Sequence, residues 1–166
     1  MHRRTIDFAL VAFFAVTILY GLLFSLPEGL GVPVSSESPW PPLRSLHTWA
    51  VQQEPAHLAP PPVLLASCLF DGLFQAPVLA FVIYGLVRER RWVRPLGLFY
   101  AGAAITNMFF YFATTFWGPT PPPHLGVYLP FNLPWLVAPA ILALRLLPAD
   151  PFAERREFAS ARRAAA

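Results

Sequence analysis

An aspartate with polar neighbours one helical turn to either side, set in a long apolar run, is the feature of this chain best placed to do chemistry. The run extends from Pro62 to Val87, and Asp71 is its one charged residue. Ser67, Asp71 and Gln75 recur at i, i+4 and i+8, which puts all three on one helical face. A run of this length with a single charge predicts a transmembrane helix. A charge at that depth costs ~2.5–3.5 kcal/mol on insertion scales. The stripe must therefore face other helices or a cavity, with Asp71 neutral and hydrogen-bonded unless it meets a cation. Pro77, just beyond Gln75, predicts a kink.

Three further apolar runs carry polar side chains that could meet this stripe. Tyr100, Asn107, Tyr111 and Thr114 share one face of the run that follows. Asn132 and Trp135 are i, i+3 neighbours in the last run, among Pro130, Pro134 and Pro139, whose freed carbonyls need partners other than lipid. Thr17, Tyr20 and Phe24 form a semi-polar stripe on the first run. Asn107 and Asn132 could equally serve as interhelical glue, worth ~0.6 kcal/mol apiece. Trp135 could be packing alone. Taken together, one acid, two amides, hydroxyls and many aromatics suit an amphipathic ligand with a hydrocarbon body and one polar or cationic group. The chain shows no charged ring or repeated carbonyl loop of an ion channel, and no inverted halves of a transporter.

The elements that must position these residues are legible in the hydropathy. The chain has 166 residues, 56% hydrophobic and 13% charged, with a mean hydropathy of +0.51. That is too apolar for a soluble domain of this size and predicts an all-α integral membrane protein, a bundle of four transmembrane helices around an internal cavity. The helices are expected at about 8–27, 62–87, 95–117 and 127–147, in one membrane domain over 1–149, with a basic tail over 150–166. The first run ends Leu23-Phe24-Ser25-Leu26-Pro27-Glu28, unlike the small-residue cleavage site of a signal peptide, so a retained helix is expected. Between the first two helices, residues 28 to 61 are rich in proline and serine. There Leu43, Leu46 and Trp49/Ala50 fit a short amphipathic helix, with Trp40 and Trp49 at headgroup depth, or an ordinary loop over the helix ends. Arg145, near the end of the fourth helix, is expected to reach toward the interface.

Charge sets the orientation. All twelve basic residues are arginine, and eleven fall on one side of a four-helix topology, with only Arg44 on the other. The positive-inside rule then places both termini and the second-to-third loop in the cytoplasm. The arginines form no stripe with interleaved aromatics, which argues against nucleic acid. His47, His57 and His124 are scattered without ligand spacing, so no metal and no cofactor is expected. The one cysteine, Cys68, excludes an internal disulfide.

Several of these residues resemble a known family. Glu54-Pro55, Pro60-Pro61-Pro62 and Leu69-Phe70-Asp71-Gly72-Leu73-Phe74-Gln75-Ala76-Pro77 are similar to the EXPERA family, which includes the sigma-2 receptor and the emopamil-binding sterol isomerase. Glu54 and Asp71 stand seventeen apart, as an acid and a glutamate do in the receptors, and Asp71, Gln75 and Pro77 keep their E-x-x-x-Q-x-P pattern with aspartate for glutamate. Asn132-Leu133-Pro134-Trp135-Leu136-Val137-Ala138-Pro139 resembles the isomerase's N-x-x-W-L-V-x-P segment, which lines its sterol pocket. The resemblance covers roughly 8–147. It implies a four-helix fold whose cavity opens sideways into the bilayer and takes sterols or cationic amphiphiles. It also implies a histidine and glutamate, or an aspartate, on the first helix. The sequence there has no histidine, Ser25 stands where the aspartate would be, and Glu28 lies three residues on.

Two functions follow as expectations. The first is a binding protein for a sterol, another isoprenoid lipid or a cationic amphiphile, its cavity lined by Asp71, Gln75, Asn107, Asn132, Trp135, Tyr20, Tyr100, Tyr111 and Ser67. Glu54 and Pro77 are expected in structural and loop roles. The second is an isomerase that shifts a carbon–carbon double bond, with Asp71 as one proton-transfer group and Glu28 or Tyr20 as the other. The lack of a first-helix histidine favours binding. A third reading has the tail and Arg88–Arg94 dock a partner. No small-xxx-small face decides whether the chain forms a homodimer.

Overall fold

A computed structural model of the chain describes residues 3–153. Met1, His2 and the tail arginines Arg155, Arg156, Arg162 and Arg163 lie outside the described residues. Among those described there is helix and no strand. Helix α1 (Arg3–Tyr20) continues through a π-helical turn, Gly21–Ser25, into the short α2 (Leu26–Gly29). A proline-rich loop carries α3 (Pro41–Gln53) and a 3-10 turn, Pro55–Leu58. Then α4 (Pro62–Phe70), a second π-helical turn (Asp71–Gln75) and α5 (Ala76–Val87) make one continuous rod. Helices α6 (Val93–Trp117) and α7 (Leu125–Leu146) complete the bundle.

Four rods are long and apolar enough to cross a membrane: Arg4–Gly29, Pro62–Val87, Val93–Trp117 and Leu125–Leu146. Even the last, of 22 residues, rises about 33 Å at 1.5 Å per residue, enough for a hydrocarbon core of ~30 Å. Their outer surfaces are apolar: Phe81, Phe99, Phe109, Leu144 and Trp117 are all exposed. A soluble protein could not tolerate so much exposed aromatic surface, whereas lipid can solvate it.

The interior divides along the bundle axis. Toward the arginine-rich end, Leu10 and Phe14 of α1 meet Leu79, Val82 and Leu86 of α5, Tyr100 of α6 and Leu142 and Leu146 of α7. At the other end α3 forms a cap. It starts on Pro41 and Pro42, which suit the first turn of a helix because no N–H is needed there. It buries Leu43, Leu46 and Ala50 against Val34 and Phe24, so the short helix expected in this loop is present and lies over the end of the bundle. Trp40 and Trp49 spend their indole N–H groups inside the protein, on the Leu23 carbonyl and the Glu54 carboxylate, both at 2.6 Å.

Arg145 departs from its expected course. Instead of reaching outward it is 8% exposed, with Nε and Nη2 donating to the two carboxylate oxygens of Asp7 at 2.8 and 3.1 Å. Nη1 donates to the Pro151 carbonyl at 2.9 Å, and the guanidinium lies over the Phe152 ring. Asp7 precedes the charge-free part of α1, so the two charges meet inside the bundle and each satisfies the other. Arg94 closes the same end by donating to the Leu147 and Pro148 carbonyls just beyond α7.

Replacing Asp7 with asparagine leaves a buried guanidinium without its counter-charge and should cost about 3–5 kcal/mol, read as a fall in melting temperature in detergent. Asp7→Asn combined with Arg145→Met should recover most of that loss, since neither charge then remains. An unchanged transition in the single variant would contradict a stabilising role for the pair.

Candidate functional site

The site is built on two matching turns. Leu23-Phe24-Ser25-Leu26-Pro27 and Leu73-Phe74-Gln75-Ala76-Pro77 place the same pattern on the first two rods. A proline cannot donate to the carbonyl four residues back. In both rods the strain is absorbed by widening the preceding turn: Leu26 N–H bonds the Gly21 carbonyl and Ala76 N–H bonds the Asp71 carbonyl, each five residues back. The Leu23 carbonyl that Pro27 leaves free is the one Trp40 caps. The π-helical turns pack against each other, and only glycine permits the approach: a Cβ at Gly72 would lie 2.5 Å from the Leu26 Cβ, and one at Gly21 3.2 Å from the Asp71 carbonyl oxygen. Pro77 thus acts through a π-helical turn that carries Asp71 at its start.

Ser25 and Gln75, equivalent positions in the two patterns, both donate to the Asp71 carboxylate, Ser25 at 3.4 Å. Asn107 Nδ2 of α6 adds a third donor at 3.0 Å, and Ser67 Oγ donates to Asn107 Oδ1 at 2.9 Å. Asn107 therefore has both ends of its amide committed. Every donor to Asp71 is neutral, and among the described residues it has no basic partner.

A second polar group lies toward the α3 cap. The first rod runs to Gly29, past Pro27, and so carries Glu28 to a position only 2% exposed. His57, on the 3-10 turn, sets Nδ1 2.7 Å from Glu28 Oε1 and Nε2 4.0 Å from Glu54 Oε2. Glu54 accepts hydrogen bonds from Tyr111 Oη, Trp49 Nε1 and, at 3.3 Å, Asn132 Nδ2. Glu54 thereby ties α3, α6 and α7 together. Burial alone would lower the pKa of His57, but its hydrogen bond to Glu28 and the charges of Glu28 and Glu54 outweigh that and raise it.

All the candidate cavity residues come together. Tyr20, Glu28, Ser67, Asp71, Gln75, Tyr100, Asn107, Tyr111, Asn132 and Trp135 line one cavity of about 70 Å³. Glu54 and Pro77 stand behind its wall rather than on it. Trp135 packs between Phe13 and Tyr20, with ring centroids at 4.9 and 5.4 Å, giving the cavity an aromatic side. The volume holds a polar headgroup or a few waters; pockets for drug-sized ligands are ~300–1,000 Å³. A sterol-sized body would therefore require side chains of this wall to turn aside.

Sequence reasoning missed the roles of His57 and Gly21, and noted Ser25 only as standing where the resemblance would place an aspartate. His57 comes from a proline-rich loop and joins a residue 29 positions away, a pairing with no periodic signal. Ser25 and Gly21 did have one, the repeated Leu-Phe-polar-x-Pro pattern. Chemically, the assembled site offers a carboxylate for a cation and a carboxylate–imidazole pair able to hold or move a proton.

The fold and the site define a multi-pass integral membrane protein with an acidic group buried between its helices. Residues 43–146 match the family model described as EBP, the EXPERA or expanded EBP superfamily, and the chain belongs to that family. No curated protein and no solved structure matches the chain closely enough to stand beside the family model.

Gly72→Ala should force the two π-helical turns apart and cost about 1–3 kcal/mol by overpacking; a melting temperature equal to wild type would contradict the tight approach. The His57 pairing also predicts a pH dependence. Its pKa is raised on folding, so its contribution to stability is fully present below the unfolded value of about 6.5 and is lost as pH rises through the folded value. The melting temperature should fall over that range in wild type and change less in His57→Gln.

Proposed function

We propose that this protein binds an amphipathic lipid-like molecule, a sterol, an isoprenoid lipid or a cationic amphiphile, with the ligand's polar or cationic group at Asp71. The observation that carries this reading is the set of neutral donors around a buried carboxylate. Ser25, Gln75 and Asn107 hydrogen-bond Asp71 without supplying a counter-charge, which leaves that place to a ligand cation. The aromatic side formed by Phe13, Tyr20 and Trp135 suits an apolar body and favours an adjacent positive charge. Family membership supports a ligand of the sterol type. The arginine asymmetry supports cytoplasmic termini, with α3 and His57 on the opposite side.

A second reading, double-bond isomerisation, gains from the Glu28–His57 pair. The reaction needs one group to protonate an alkene carbon and another to remove a proton from the carbon beyond the cationic centre, leaving the double bond shifted and the atom count unchanged. Asp71 supplies one such group, and Glu28 with His57 supplies the second that the first helix lacked by sequence.

The binding reading is tested by titrating a cationic and a neutral sterol-like amphiphile into wild type and Asp71→Asn. The variant should lose roughly thirtyfold in affinity for the cation, about 2 kcal/mol, and keep its affinity for the neutral compound. Equal affinity for the cation would sink the ion-pair account. Turnover in heavy water, with carbon-bound deuterium appearing in a sterol and lost in Glu28→Gln, would instead establish the isomerase.

A further inference from the structure

The two polar groups of the cavity differ in one respect: among the described residues Glu28 has a basic partner and Asp71 has none. Among the described residues, His57 is the one basic side chain in the cavity wall. It is 5% exposed, lies 2.7 Å from Glu28 and 4.0 Å from Glu54, and its Nε2 is 3.5 Å from Tyr111 Oη. Two nearly buried carboxylates thus flank one imidazole, an arrangement that favours the charged ring. Asp71 meets the hydroxyl of Ser25 and the amides of Gln75 and Asn107.

We propose that His57 is a specificity-determining residue that limits the cavity to ligands with a single cationic group. The imidazolium occupies the place beside Glu28 that a ligand's second cation would take, so Asp71 remains the one carboxylate open to a ligand charge. A dication entering the site meets attraction at Asp71 and repulsion from His57. Like charges brought together away from water cost far more than in solution. Without His57 the same cavity holds two uncompensated carboxylates and favours the dication. This inference rests on the reading of the cavity as a ligand site.

The test uses the full chain in detergent micelles and two probes whose charges do not titrate: a dodecyl mono-quaternary ammonium and its bis-quaternary counterpart. Calorimetric titration into wild type should give the monocation at least about tenfold tighter binding than the dication, and His57→Gln should abolish or reverse that ratio. Glu28→Gln supplies an independent reading should His57→Gln fail to fold: it leaves the imidazolium with only the more distant Glu54 carboxylate and should weaken the monocation severalfold. The double variant, which lacks both charges, should restore preference for the monocation. Preference for the monocation unchanged in His57→Gln, or monocation affinity unchanged in Glu28→Gln, would overturn the role of His57 while leaving Asp71 as the ligand site. Failure of wild type to bind either probe would overturn both.

Discussion

The structure turns on keeping a carboxyl group inside a membrane bundle with neutral donors alone and, among the described residues, no basic partner. Lipid offers Asp71 nothing, and a charge at that depth costs ~2.5–3.5 kcal/mol on insertion scales. The protein offsets this with three neutral donors drawn from three different helical segments: Ser25, Gln75 and Asn107. Each is then fixed in turn, Asn107 by Ser67 and the two π-helical turns by Pro27, Pro77 and glycines at their contact. Much of the packing between the first two rods can be understood as support for this one group.

The contrast with the other buried charges is instructive. Arg145 and Asp7 close on each other with two hydrogen bonds and leave little for a ligand to gain. Glu28 has His57, and Glu54 is fully engaged in joining α3, α6 and α7. Removing one member of such a pair leaves the other uncompensated, which makes the pairs structural anchors. Asp71 is held by neutral donors and, among the described residues, has no basic partner, so the counter-charge it lacks is left for a ligand to supply.

How much of this was legible in the sequence follows from what each signal measures. Hydropathy registers lipid exposure residue by residue, so the four spans are plain, and helical spacing put Ser67, Asp71, Gln75, Asn107 and Asn132 on inward faces. Contacts between distant segments leave no such trace. His57 lies in a proline-rich loop where no period governs its direction, and Arg145 meets Asp7 across 138 positions. The first helix was expected over about 8–27, just short of Glu28, and a proline at its end normally interrupts the hydrogen-bond ladder. The wider turn before it lets the helix continue, and the same pattern ahead of Pro77 was the clue. Sequence alone therefore gave the cavity's carboxylate but not the imidazole that balances its neighbour.

A site at Asp71 that holds an amphiphile should keep it when the protein is drawn from its membrane in a mild detergent. Native mass spectrometry should then show one retained small molecule per chain, apolar in its body and carrying a polar or basic group, displaced when a cationic amphiphile is added. A chain that carries nothing but detergent, in several detergents and after incubation with sterol and isoprenoid lipids, would contradict such a site.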